Sequence, residues 1–191
     1  MMARGRRSAA RSDDSASAKG KPKRRTPALP GARAGRGGLK SWSETSRPVT
    51  IHSTAATSEV LTALRNCPIE GAVLHWWRGT SAQTREAVEL GCFFSVNGHE
   101  VRSPRILDLV PPERLLTETD FPHSRRYDRA ATRPGVVGTV EAHLEARWDA
   151  DRLEIRRLLW RNFGSLLSAT DVIGRMPRAI LAALATAGYE G

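Results

Sequence analysis

Three short apolar runs in this sequence each stop on a side chain that can hold a metal ion or move a proton. Residues 48–52 read PVTIH, residues 71–75 read GAVLH and residues 115–120 read LLTETD, so the runs end on His52, His75 and Asp120. A ligand at the C-terminal tip of a buried strand faces the rim where parallel α/β barrels place their active sites. Two imidazoles and a carboxylate suit Zn, Mn or Fe better than Mg or Ca, which prefer mostly oxygen. Residue types alone do not choose among Zn, Mn, Mg and Fe. Each residue by itself is compatible with a structural role: a histidine satisfied in the core, or acids such as Glu118 and Asp120 paired at a strand end. Three in matching positions point instead to one shared divalent ion.

The elements that must position them follow from periodicity. Residues 48–52, 71–76, 92–96 and 115–119 read as four short strands, with helices predicted over 57–65, from Thr80 to Gly91, and over 104–110. Thr80 and Gln83 form a capping box of the S/T-x-x-Q type, and Gly91 closes that helix from its C′ position. Strands alternating with helices through short turns imply right-handed βαβ units and a parallel sheet. Beyond residue 135 the pattern is helical, with segments at 136–147, around Ile155, Leu158, Leu159, Phe163, Leu166 and Leu167, and at 176–187. The expected fold class is α/β, a partial TIM-like barrel of about four parallel strands.

Charge divides the chain. Of its 30 Lys+Arg, 13 lie in residues 1–48, against three of its 20 Asp+Glu, so this segment accounts for the whole formal charge of +10. Residues 1–46 show no apolar period and are expected to be a disordered basic tail, because they cannot bury enough apolar surface to offset their ordering entropy. Residues 47–191 form the expected folded part. Cys67 and Cys92 lack metal-site spacing and read as free thiols of a reducing, cytoplasmic setting. No run approaches the length of a membrane helix, and no apolar signal core follows the first basic residues.

The motifs resemble those of the TatD family of metal-dependent deoxyribonucleases. PVTIHSTAA is similar to the family's fifth-strand pattern P-x-x-I-H-x-R-x-A, HWWRG to H-x-F-x-G, LGCFFSVNG to its seventh-strand stretch, and RLLTETDFP to L-L-x-E-T-D-x-P. RNFGSLL resembles the helix N-x-x-x-L-F that ends family members. The resemblance spans residues 47 to 168, the C-terminal half of a TatD-like barrel. It implies His52 and His75 as metal ligands and Asp120 as ligand and base, in a hydrolase of phosphodiester bonds acting on DNA. The wording around Phe94, Ser95 and Val96 also resembles the QatD-like branch attached to an anti-phage defence system.

The departures set further expectations. The family's first-strand H-x-H or H-x-D pair and its bridging Glu do not occur before residue 47, and Thr54 stands where the family has an Arg. Arg78, Arg102 and Arg125, with Arg126, are the loop cations available to contact substrate phosphate. Little turnover is expected of this chain unless another chain completes the barrel. All four Lys lie before residue 41, and the Arg, Ala, Gly, Pro and Ser bias there is what a GC-rich gene gives when read out of frame. A frameshift upstream of the folded part is therefore expected. His99 and His123 read as surface residues, His143 as structural, and Trp77 rather than Trp76 as the member of its pair that packs. The competing class is a non-enzymatic nucleic-acid-binding or interaction protein acting through its basic tail.

Overall fold

The computed structural model describes residues 47–130 and 132–190, so the expected disorder of residues 1–46 lies outside the described residues. Four parallel strands, β1 (Val49–His52), β2 (Ala72–His75), β3 (Phe93–Val96) and β4 (Leu115–Thr117), pair in the order β1-β2-β3-β4. Between them lie α1 (Thr57–Asn66), α2 (Ser81–Glu89) and α3 (Pro104–Leu109); α4 (Gly138–Trp148), α5 (Arg152–Ala169) and α6 (Arg178–Thr186) follow β4. This is the expected α/β fold, part of a TIM-like barrel.

Strand register explains where each residue type goes. Ile51, Leu74, Phe94 and Leu115 are Cα partners across all four strands, and this row packs into the largest apolar cluster, with Leu61 and Leu64 of α1 and Val140 and Leu144 of α4. Because side chains alternate with period two, the neighbouring row faces the opposite side. That row is His52, His75, Ser95 and Leu116. One step toward the strand N-termini it continues as Thr50, Val73 and Phe93. On the two central strands, β2 and β3, this face is therefore apolar at its base, with Val73 and Phe93, and polar at its rim, with His75 and Ser95.

Helix α5 secures the base. Its capping box, Asp151 with Glu154, starts the helix three residues before the apolar period predicts. Its first half adds Ile155 to the main core, while its second half sets Leu166 against Val73 and Phe93. Asn162, fully enclosed, donates from Nδ2 to the carbonyls of Pro112 at 2.6 Å and Leu115 at 2.7 Å, tying the helix to the start of β4. Gly71, just before β2, has φ +75°, and a Cβ there would lie 2.2 Å from Thr170 at the helix end. Only glycine meets both demands without strain.

Two strand ends differ from expectation. β2 stops at His75 because Trp76 takes a left-handed φ of 46°, and β4 stops at Thr117, three residues before Asp120. Trp77 packs as expected, edge-on to Phe94 with its indole N–H donating to Thr84 Oγ1 at 2.9 Å. Trp76 is buried as well, against the rim loops instead of the core, so the pair is not split between core and solvent. The 3-10 turns over Glu100–Arg102 and His123–Arg126 shape those loops.

Asn162→Ala leaves two buried carbonyls without their donor and is expected to cost about 2 to 4 kcal/mol in urea denaturation. A change within about 0.5 kcal/mol, the range of ordinary surface substitutions, would show that α5 does not anchor β4.

Candidate functional site

His52 and His75 are register partners at the tips of β1 and β2, with ring centroids 5.2 Å apart. Asp120 reaches the same rim from beyond β4: its Oδ1 lies 3.3 Å from His75 Nε2. A left-handed φ of 47° at Asp120 turns the chain there, a conformation Asp tolerates better than most residues. The structure thus brings His75 and Asp120 into contact and sets His52 beside His75. His52 Nε2 itself pairs with Thr54 Oγ1 at 2.8 Å.

The residue that organises the rim is Glu118, which sequence reasoning noted but did not place in the site. Its Oε2 meets both His75 Nδ1 and Ser95 Oγ, and its Oε1 accepts from Asn97 Nδ2 at 3.2 Å. A carboxylate held by three donors from three segments is fixed in position, and it fixes the imidazole in turn. Hydrogen bonding to Glu118 is the main reason the His75 pKa rises above its ordinary value, with partial burial opposing and Asp120 assisting. The spacing of Glu118 two residues before Asp120, and of Ser95 two before Asn97, was the available signal. Period-two spacing marks side chains that share a face of an extended segment.

Glu100 lies behind this network. Its Oε2 accepts from Asn97 Nδ2 at 3.2 Å, while its Oε1 is buried with no partner among the described residues. Burial, reinforced by the charge of Glu118, pushes its carboxyl up to about 9. The group is therefore protonated at neutral pH, which removes the charge that an unpaired buried oxygen could not sustain.

The predicted loop cations divide into two places. Arg78 and Arg102 line a cavity of about 480 Å3 between the β2–α2 loop and the segment after β3. Arg125 lines a separate hollow of about 560 Å3 with Pro122 and His123. His99 is half-buried and stacked on Tyr127, contrary to its expected surface position, whereas His123 is exposed. His143 Nδ1 lies 2.8 Å from the Thr139 carbonyl inside α4, a structural role. Cys92 is buried and Cys67 half-buried, both free thiols.

The donors fit a metal ion in part. Ligands bound at about 2.0–2.1 Å in a tetrahedral site stand roughly 3.3 Å from one another, and the His75–Asp120 edge has that length. His75 also has its other nitrogen on a carboxylate, the arrangement that orients metal-bound histidines. Among the described residues, however, no three His, Cys, Asp or Glu side chains are grouped to hold an ion.

Residues 39–168 match the family model described as TatD related DNase. The chain belongs to this TatD family. It is 35% identical over 88 residues to the 3'-5' ssDNA/RNA exonuclease TatD of Klebsiella pneumoniae, covering 42% of this chain and 34% of that protein. The corresponding figures for the TatD exonuclease of Citrobacter rodentium are 32% over 93 residues, 44% and 35%. For the metal-dependent hydrolase YabD of Bacillus subtilis they are 30% over 86 residues, 41% and 34%. The aligned part spans about a third of the length of these curated TatD relatives. Among the described residues, no helix is long and apolar enough to cross a membrane.

The state of Glu100 has a measurable consequence. The folded chain holds its proton up to about pH 9, whereas the unfolded chain, with a carboxyl near 4.5, loses it far earlier. Its folded value is raised, so the stability linked to this proton is complete below about pH 4.5 and declines as pH climbs toward 9. Glu100→Gln is expected to remove that decline, which can be as steep as roughly 1.4 kcal/mol per pH unit, in urea denaturation at pH 5, 7 and 9. Parallel profiles for the two proteins would refute the buried neutral carboxyl.

Proposed function

We propose that this chain carries the metal-binding rim of a TatD-type hydrolase that cleaves phosphodiester bonds, with DNA as substrate. The observation that carries the proposal is the His75–Asp120 edge, oriented by Glu118, at the strand-tip rim of a TatD-family sheet. His52, His75 and Asp120 are the residues that would hold a divalent ion. For His52 this means giving up its Thr54 contact. Zn, Mn, Mg and Fe all remain within the proposal. When bound, the ion supplies Lewis acidity toward a phosphoryl oxygen.

The chain's own residues do the rest. Asp120 accepts a proton from the attacking water on the carboxylate oxygen that does not face His75, and passes it to the leaving oxygen as that bond to phosphorus breaks. Glu118 keeps the His75 ring from rotating, so that Nε2 stays toward Asp120. Arg78, Arg102 and Arg125 supply positive charge along the approach of a phosphate backbone. A further chain completing the barrel against β1 and β4, the two edges of the four-stranded sheet, belongs to the same proposal. The free thiols support a cytoplasmic setting, and the Phe94–Val96 wording supports the anti-phage branch.

The charge concentrated in residues 1–48 favours a second reading, a nucleic-acid-binding protein that acts through that segment without catalysis. Wild-type protein is expected to gain thermal stability with Mn2+ or Zn2+. His75→Ala is expected to abolish the gain, and Asp120→Asn to slow hydrolysis of an end-labelled oligonucleotide about a hundredfold or more. If deleting residues 1–46 removes all DNA affinity, and no metal-linked stabilisation exists in the full chain, the second reading replaces the first.

A further inference from the structure

The rim loops beside the His75–Asp120 edge carry an assembly of rings that neither the core nor the proposed chemistry uses. His99 stacks on Tyr127 with ring centroids 4.8 Å apart and planes 28° from parallel. Trp76, next to His75 in sequence, meets Tyr127 edge-on at 5.8 Å and His123 at 5.3 Å. The cluster reaches into solvent at its outer members: Trp76 is buried, but Tyr127 stays 43% exposed and His123 is exposed.

Cations flank the rings on both sides. His99 is also a wall of the 480 Å3 cavity that Arg78, Arg102 and Arg105 line. His123 is a wall of the 560 Å3 hollow with Arg125, Arg126 and Arg129, and the Arg126 guanidinium lies 5.9 Å from the Tyr127 ring centroid. Among the described residues, none of these six arginines is in an ion pair, whereas Arg65, Arg147, Arg152 and Arg156 are. Among the described residues, the nearby acids form no ion pair with these arginines. Glu100 is held neutral by burial, and Asp128 is buried under bonds from the Ala130 amide and the Thr139 hydroxyl.

Local backbone features build the assembly. Trp76 adopts φ 46°, rare for a bulky residue, and this turns its ring out of the strand toward the loops. At Gly98 a Cβ would lie 2.1 Å from Asp128 Oδ2, so a bare α-carbon is needed for the loop carrying His99 to approach the segment carrying Tyr127. Strain held at a rim, with no benefit to the core, is characteristic of a binding surface.

We infer that Tyr127, backed by the stacked His99 and the edge-on Trp76, forms a base-stacking platform, and that the arginine-lined hollows on either side take the phosphates of the same unpaired strand. The inference rests on the nucleic-acid reading above and adds to it the surface that holds the strand by its bases. Every base has a π-face, so the platform is tolerant of sequence. A paired base hides both faces in the duplex stack, so the platform selects unpaired strands.

Binding of the full chain to two labelled 12-nucleotide probes, oligo-dT and an abasic strand of the same length, tests this in EDTA. The Lys and Arg of residues 1–46 offer phosphate contacts common to both probes, so the comparison of variants with wild type, in which this segment is unchanged, isolates the platform. Tyr127→Ala is expected to weaken oligo-dT binding about tenfold and to leave the abasic strand unchanged. Tyr127→Leu, which keeps apolar bulk at an exposed position, is expected to do the same. Arg102→Ala and Arg126→Ala are each expected to weaken both probes alike and to lower the salt slope by about one. Equal affinity of wild type for the two probes, or equal losses in the tyrosine variants, would overturn the platform. Metal-linked stabilisation, read separately on His75→Ala, reports on the hydrolase reading, so the two can fail independently.

Discussion

A carboxylate largely withdrawn from water has to be met by donors, and at the rim of this sheet that requirement converges on the half-buried Glu118. Its side chain is 11% exposed and receives an imidazole from β2, a hydroxyl from β3 and an amide from the loop after β3. Each donor comes from a segment far away in sequence, so the carboxylate acts as a clamp across the strand tips. The clamp also decides chemistry. With Nδ1 of His75 committed to Glu118, only Nε2 is left to face Asp120.

Below the clamp the same face is apolar, and the change of character along one row of strand positions divides labour within the fold. Val73 and Phe93 at the base pack on Leu166, and the Asn162 and Gly71 contacts hold α5 close to the strand starts. Stability is concentrated there, and reactive or ligand-binding side chains at the other end, the usual partition of parallel α/β barrels. The left-handed residues Trp76 and Asp120 belong to the rim and not to the base. At the rim this conformation aims the two side chains, whereas Asp149 and Asp171 adopt it where α4 and α5 end.

Family membership and rim geometry address different questions. Membership in the TatD family places the chain among metal-dependent hydrolases and nucleases at the level of its relatives. The rim shows which of its own groups are positioned: an oriented His75, an Asp120 in contact with it, and a His52 still engaged with Thr54. Two donors stand at ligand spacing and the third stands aside. For all three to meet one ion, His52 has to release Thr54 and turn toward the His75–Asp120 edge.

The residue order by itself determined what is local. Period-two and helical apolar patterns gave four strands and the long α5 helix, Thr80 and Gln83 gave the start of α2, and runs ending in His52, His75 and the ETD triplet pointed to one rim. Those signals lie within a few residues of one another and are set by backbone conformation. Tertiary structure alone decided the rest. Glu118 and His75 are 43 positions apart, and only the pairing of β2 with β3 and β3 with β4 brings them together. The burial of Glu100, the outward turn of Trp76 and the stacking of His99 on Tyr127 likewise depend on loops meeting across the rim. No local period encodes contacts between segments that register and burial have first to place side by side.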